Sequence, residues 1–414
     1  MAERSDAIVV GAGLAGLTAA RRLVDAGLEV RVLEAADDAG GRLRTDQTDG
    51  FRFDRGLQVV CPAYPALARE FDVGALDLRP FSRGLGVLSN QTVHRLGPDP
   101  SVVGAMRIRL LSLRDAAALA RLTTLDAMGP PGRLKHRSDR TTHEELRSAG
   151  LSERAIDTVL RPMLSGVFGE DMLSTSGRFF HLMWRSFLRG GAAVPADGIQ
   201  ALPRQMHAAL PTGTVSCGSK VTSIRPGSVR MGKNRELSAA TIIVATDASA
   251  AARLLGLPKQ PLWYGLTTYY HVTNDLGGAE PLLLVDADQP SIIRNSVVVS
   301  AAAPGYATPG YQLVATSVLG ASAHNPELEL RVRARLSALY RTSTAQWELA
   351  ATYAIPHALP AMPAPHPLRR RVRLAPGLYV CGDHRDTSSI QGALVSGRRA
   401  ATAALSDLAV SPTF

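Results

Sequence analysis

At 414 residues the chain is two to three times a usual single-domain length, and 45% apolar with 20% charged residues excludes the disordered and collagen-like classes. Its formal charge of +10 rests on scattered arginines, with lysine only at Lys135, Lys220, Lys233 and Lys259, which argues against a nucleic-acid surface. Cys61, Cys217 and Cys381 stand far apart and form no C-x-x-C pair, so neither a disulfide framework nor a metal site is expected and a reducing, cytoplasmic setting fits.

The chain opens charged at Glu3, Arg4 and Asp6 and turns apolar at once, leaving no space for a signal-peptide core. Ala7 to Val10 is a short apolar run, Leu14 to Ala26 has helical spacing, and Glu29 to Leu33 alternates into a second β-branched run, so the start reads β-α-β. Between the first strand and the helix stands Gly11-Ala12-Gly13-Leu14-Ala15-Gly16. In that place Gly11 permits a tight turn, Gly13 lets the backbone approach a pyrophosphate, and Gly16 lets the helix pack on the strand. The free N–H groups and dipole of the helix N-terminus then favour the anion. Glu34 ends the second strand at the distance that suits a ribose hydroxyl. Dinucleotide binding follows.

From about 79 to 190 the pattern is helical. Met106 to Leu125 sets Arg107, Arg109, Arg114 and Arg121 among leucines and alanines, a basic amphipathic helix for which a solvated face or a membrane surface are the two readings. Pro130, Pro131 and Gly132 break the pattern, and Thr142 with Glu145 predicts a capping box for a helix over Thr141 to Gly150. Short strands are predicted at Thr214 to Cys217, Val221 to Ile224, Val229 to Met231 and Thr241 to Ala245, and a further sheet over Tyr264 to Val318. Leu328 to Leu339 returns to helix, Pro356 to Pro376 reads as an extended connection, and a strand at Leu378 to Cys381 precedes a helix from about Ser389 to Leu408, capped by Ser388 or Ser389. No window holds 18 uninterrupted apolar residues, so no membrane span is expected.

Glu34-Ala35, Gly40-Gly41-Arg42 and Thr45 together resemble the signature of the flavin amine oxidase, phytoene desaturase and protoporphyrinogen oxidase superfamily. Phe53-Asp54-Arg55-Gly56 is similar to that family's turn beside the flavin ring, and Val194 to Leu202 to its P-x-G-G-M-x-x-L segment, with Asp197 in place of a glycine. Lys220-Val221 resembles the strand whose valine backbone meets the adenine, and Ile243-Val244-Ala245-Thr246 the V-V-x-A-T strand. Tyr379-Val380-Cys381-Gly382-Asp383, followed by Ser388-Ser389-Ile390-Gln391-Gly392-Ala393 and Ser396-Gly397-Arg398, is closer to plant-type carotene desaturases than to monoamine oxidases.

The resemblance implies FAD as cofactor and an α/β, two-lobed, glutathione-reductase-like fold. A Rossmann-type FAD-binding domain is expected from 1–78, 196–258 and 366–414, and a mixed-sheet and helical substrate domain from 79–195 and 259–365. The cofactor residues it implies are Gly11, Gly13, Leu14, Ala15, Gly16, Glu34, Ala35, Gly41, Arg42, Gly56, Val221, Ala245, Gly382, Asp383, Ile390, Gln391 and Ala393. The implied reaction is desaturase-like, a hydride passing from a largely apolar small molecule to flavin N5, with oxygen, a quinone or another acceptor taking the electrons. Amine oxidation is the alternative, and a non-catalytic prenyl- or lipid-binding escort of the same fold is the alternative of another class.

No catalytic acid or base is assigned, and no lysine or aromatic frame for an amine can be placed. Tyr269 and His271 are expected on one face of the substrate sheet, in its packing or along the pocket, while His384 and Asp386 belong to a surface loop or approach the active site. Trp347, with Ala354-Ile355-Pro356, reads as buried core or as the segment returning to the flavin domain. Covalent flavin attachment through Cys61 or Cys381 is not expected.

Overall fold

The computed structural model describes residues 4–97, 110–232, 235–257, 262–288, 291–322 and 325–410. The β-branched runs at the start form the centre of an eight-stranded sheet. Arg4–Val10 lies between Val30–Leu33 and Arg235–Val244, both parallel to it, and Val30–Leu33 is followed by the short strand Val215–Ser216. Val221–Arg225 and Ser228–Met231 make an antiparallel meander into the first half of Arg235–Val244, whose second half pairs in parallel with Leu378–Val380. The register aligns Val10 with both Leu33 and Val244, and Val244 with Val380, so four parallel strands end at one level. In an open parallel sheet that edge is where a ligand crevice forms.

Two helices are stacked on this edge's inner side. Leu14–Asp25 follows the first strand, and the last helix, Ile390–Val410, crosses it; a Cβ on Gly397 would be driven into the carbonyl of Ala15. The contact is close because glycine stands there. Around it lies a core of Leu17, Leu23, Val32, Leu202, Ile243, Leu394 and Ala404.

A seven-stranded sheet runs in the order Glu348–Pro360, Trp263–Thr273, Gln312–Leu319, Asn295–Val298, Leu284–Asp286, Leu85–Ser89, Thr92–Leu96. Alternation along Trp263–Thr273 sends Tyr269 and His271 to the face covered by the helix Pro326–Tyr340, where Tyr269 packs with Val332, Leu336 and Trp347 and the His271 imidazole meets Glu329 at 3.0 Å. These two residues are sheet packing, and Trp347, 1% exposed, is core. Tyr270 points the opposite way, against Phe53. A helical layer built from Leu113–Met128, Thr142–Ser148, Arg161–Phe168 and Gly177–Gly190 packs on Val87 and Val285 of the sheet.

Two expectations need correction. The helical pattern read from about residue 79 is preceded by two strands, Leu85–Ser89 and Thr92–Leu96. The capping box of the helix Thr142–Ser148 is one residue earlier: Thr141 is the N-cap, its hydroxyl accepting from the Glu144 N–H at 3.1 Å while Glu144 accepts from the Thr141 N–H at 2.9 Å. Thr142 instead donates its hydroxyl to the Thr175 carbonyl, and Glu145 is drawn inside to His181 at 3.3 Å and Arg137 at 2.9 Å. The basic segment begins its described helix at Leu113 with a Ser112–Asp115 capping box, while Arg107 and Arg109 lie outside the described residues. The connection expected to be extended from Pro356 begins as strand, as far as Pro360. Among the described residues no helix is long and apolar enough to cross a membrane.

Candidate active site

Gly11 ends the first strand at φ +104°, and a Cβ there would lie 2.9 Å from the Ala245 carbonyl oxygen. Gly16 allows the helix to descend on that turn, since a Cβ would overlap the Gly11 carbonyl. Ala245, buried, donates its N–H to Val10 at 2.8 Å and closes the floor. Gly13 is the helix N-cap, with extended backbone and no side chain capping it, and the space that a Cβ would enter is open. The first-turn N–H groups, those of Leu14 and Ala15 among them, have no partner within the helix and face this space. It is a cradle for an anion.

Glu34 sits beside the cradle, its carboxylate accepting from the Ala12 N–H at 2.7 Å and the Ala36 N–H at 2.8 Å. Each oxygen keeps a lone pair for a hydroxyl. Its carbonyl accepts from the Ser219 N–H at 2.7 Å, which brings Lys220-Val221 to the same rim as the exposed Ala35. Gly40 bridges Gly13, and Gly41 at φ +62° comes so close that its Cβ would be 3.4 Å from the Gly13 Cα.

Arg42 leaves this loop and binds three elements. Nη2 meets the buried Asp383 carboxylate at 2.6 Å, Nη1 donates to the Ala358 carbonyl at 2.9 Å, and the guanidinium lies 5.7 Å from the centre of the Trp263 ring. Gly382, at φ +139°, takes the hydroxyl of Ser396 as acceptor for its N–H at 2.9 Å. Ser389 caps the last helix by accepting from the Gly392 N–H at 3.1 Å. Ile390 and Ala393 stand in the first turn of that helix, half-buried, and Gln391 accepts from the Ala66 N–H at 3.0 Å.

Gly56, at φ +95°, turns the chain opposite Thr268 and Ile355; its Cβ would lie 2.8 Å from the Ile355 Cδ1, and the Leu57 N–H donates to the Thr268 hydroxyl at 3.3 Å. Behind the turn stands Asp54, which the motif includes but to which it assigns no role. Asp54 is 2% exposed and accepts from the Thr45 hydroxyl at 2.6 Å, the Ile199 N–H at 2.9 Å and the Tyr306 hydroxyl at 2.7 Å. Burial outweighs those hydrogen bonds and pushes its pKa up to about 6. Asp197, the departure from the P-x-G-G pattern, is exposed and takes Arg52 at 3.2 Å, so it does not enter the site.

His384 and Asp386 are not on a surface loop. Asp386 is buried and bound to Arg399 at 3.2 Å. Both ring nitrogens of His384 and the Ser388 hydroxyl are buried without a partner among the described residues. Burial, opposed by Asp383, pushes the imidazole down to about 4, so it is neutral and offers one donor and one acceptor. Unpaired buried nitrogens on His384, next in sequence to the Asp383 carboxylate that Arg42 holds, fit a dinucleotide that would complete them. Cys61 and Cys381 are buried and pushed up to about 11 and about 12, which keeps both as thiols.

The sequence profile described as flavin containing amine oxidoreductase matches residues 14–405. The chain belongs to that family. FAD is the family's cofactor and oxidoreduction its chemistry. Polyamine oxidase 2 of Arabidopsis thaliana is 46% identical over 68 residues, covering 15% of this chain and 14% of the relative. Coproporphyrinogen III oxidase of Mycobacterium tuberculosis is 30% identical over 207 residues, covering 47% of this chain and 44% of the relative. The chain thus aligns with less than half the length of these curated relatives. In fold it is similar to a putative protoporphyrinogen oxidase from Exiguobacterium sp. 255-15, with a TM-score of 0.73 at 17% identity over 99% of both chains. The expected α/β fold is that of this solved structure.

Proposed function

We propose that this flavoprotein oxidises a largely apolar small molecule by desaturase-like hydride removal. FAD would be held in the lobe formed by 1–78, 196–258 and 366–414, with the substrate against 79–195 and 259–365. The first-turn N–H groups after Gly13 and the Arg42 guanidinium would hold the pyrophosphate, Glu34 the adenosine ribose, and Asp383 the ribityl chain. The backbone of Val221 would border the adenine and that of Gly56 the flavin ring. The last helix, with Ile390, Gln391 and Ala393 in its first turn, would present its positive end to the flavin. The chemistry supplied by bound FAD is acceptance of a hydride at N5, with reoxidation by oxygen, a quinone or another acceptor. What the chain contributes is orientation and exclusion of water.

One observation favours an apolar substrate over an amine. The sheet residues facing the Gly56 turn are Thr268 and Ile355, whereas the described lysines, Lys135 and Lys220, are exposed elsewhere. Amine oxidation is the second reading, supported by the polyamine oxidase match. Acid release of the cofactor, then anaerobic mixing with polyenes, porphyrinogens and polyamines, tests both. Bleaching near roughly 450 nm by a polyene or porphyrinogen is the expected result; bleaching by polyamines alone establishes the second reading. A colourless protein that takes up no FAD points to the escort class.

The same proposal extends to peripheral membrane contact. The helix Leu113–Met128 exposes Leu113, Leu125 and Met128 beside Arg114 and Arg121. Sedimentation with anionic liposomes at low salt is expected, and loss of it in Leu125→Glu/Met128→Glu; a protein that stays wholly unbound contradicts the contact.

A further inference from the structure

His181 lies in the helix Gly177–Gly190, 3% exposed, and its two ring nitrogens reach two different helices. Nδ1 is 2.7 Å from the carboxylate of Asp126, in the last turn of Leu113–Met128, and Nε2 is 3.3 Å from the carboxylate of Glu145, in Thr142–Ser148. Both carboxylates are buried. A carboxylate only accepts hydrogen bonds, so both ring nitrogens donate, and an imidazole that donates from both is the charged imidazolium. Burial favours the neutral ring, but the hydrogen bonds to Asp126 and Glu145 outweigh it and hold the His181 pKa above its ordinary 6.5. The same contact, opposed by burial, holds Glu145 low.

The other charges around the ring do not replace its proton. Arg137 at 2.9 Å and Arg140 at 3.6 Å approach Glu145 from the loop before Thr142, and both are partly exposed. Arg185, on the same helix as His181, donates to the Asp126 and Ala127 carbonyls at 2.7 and 2.6 Å rather than to the carboxylate. Arg178 is held by Asp139 and the His366 carbonyl. Arg114, Arg121, Arg133 and Lys135, on the helices packed alongside, are exposed. A neutral His181 therefore leaves the Asp126 carboxylate, 1% exposed, with no cation bound to it among the described residues, and turns a ring lone pair on one of the two carboxylates.

We propose that His181, Asp126 and Glu145 form a pH-sensitive clasp, in which the imidazolium pins the end of Leu113–Met128 and the helix Thr142–Ser148 to Gly177–Gly190 and loss of its proton releases them. The two sides are unequal. Glu145 can turn to Arg137 and Arg140, so the remaining ring proton stays toward Asp126, and that buried carboxylate is left with a neutral partner. The turn that carries it loosens. Leu125 and Met128, 57% and 81% exposed, flank Asp126 on that turn and move with it, so the clasp sets how this apolar patch is presented. Because the folded chain holds the proton above 6.5, the clasp is at full strength below about 6.5 and is lost as pH climbs through the higher folded value.

Two measurements on the flavin-loaded protein test this. Imidazole nitrogen NMR, with the His181 signals assigned by their absence in His181→Gln, reports the proton, and hydrogen exchange over Leu113–Met128 and Thr142–Ser148 reports the release. His181 should titrate above 6.5. Exchange corrected for its intrinsic pH dependence should quicken on the order of tenfold in those two helices between pH 6 and pH 9, while the central sheet strands stay unchanged. In Glu145→Gln the amide can donate to an unprotonated Nε2, so the ring gives up its charge at lower pH and the corrected exchange should no longer change between the two values. If that variant does not fold, the titration and exchange of the wild type decide. A His181 midpoint at or below 6.5, or corrected exchange in these helices that is independent of pH in the wild type, overturns the proposal. A pH dependence that persists equally in Glu145→Gln assigns the opening to another group and overturns it as well.

Discussion

Asp54 shows how a single buried carboxyl joins turn and lobe. Its side chain takes donors from Thr45 and Ile199 on one oxygen and from Tyr306 on the other, and its carbonyl takes the Tyr270 hydroxyl at 2.8 Å. A carboxyl raised from 3.8 to about 6 binds its proton more tightly in the folded than in the unfolded chain. Stability therefore falls as pH rises from about 4 to about 6 and is level beyond, a loss of about 3 kcal/mol if the whole displacement is expressed. In Asp54→Asn, Oδ1 can still accept from Thr45 and Ile199 while Nδ2 donates to Tyr306. Urea midpoints at pH 4.5 and 7 should show the wild type losing stability relative to the variant; parallel behaviour would mean that the carboxyl titrates normally. Asp383→Ala frees Arg42 from its partner and removes a proposed ribityl contact, so FAD should be retained on the order of tenfold less tightly. An unchanged flavin-to-protein ratio after purification counts against that role. Gly11 to Gly16, Glu34, Arg42 and Asp383 were legible because each lies in a local motif. Asp54 with Tyr306, 252 positions away, was not, since no periodicity reports such a pairing.

Helices and strands were legible where their pattern is one-sided. The first helix, the second strand, the strand Leu378–Val380 and the last helix begin within a residue of where apolar spacing and Ser389 place them, and the first strand begins three residues earlier, at Arg4. The capping box was misplaced because Thr141-Thr142 faces Glu144-Glu145, giving two pairs at the same spacing; burial of Thr142 and Glu145 chooses between them. Glycines divide by what a methyl would meet. Gly397→Ala forces the last helix away from the Ala15 carbonyl, and overpacking of that kind costs about 1–3 kcal/mol. FAD content should fall with it, because the fingerprint helix moves. Gly132→Ala, in the exposed helix Pro131–Lys135 with nothing within 4 Å, should stabilise by up to about 1 kcal/mol. Thermal midpoints in the reverse order would refute the packing account of the helix crossing.

Across the whole molecule the two sheets are joined by contacts of residues that stand near those proposed to hold the cofactor. Arg42 reaches Ala358, the Tyr353 hydroxyl donates to Asp46 at 2.8 Å, and Tyr306 and Tyr270 close on Asp54. None of these joins could be read in advance, because each depends on how two separately patterned sheets are set against each other. The proposed cofactor anchors come from three distant stretches of chain, around Gly13, Val221 and Asp383, which only folding brings together. FAD should therefore bind the folded state and have little affinity for the unfolded one. At free FAD about one hundred times its Kd, the folded state gains about 2.7 kcal/mol, a rise of a few degrees in Tm for a chain of this size. Protein stripped of flavin and then titrated with FAD in a calorimeter should show Tm climbing with the logarithm of FAD concentration, both lobes melting together at the higher temperature. If Tm is independent of FAD although flavin is bound, the anchors do not link the lobes. If only one of two resolved transitions moves, FAD contacts a single lobe, and the contacts made by Arg42 and Asp54 serve the fold rather than the cofactor.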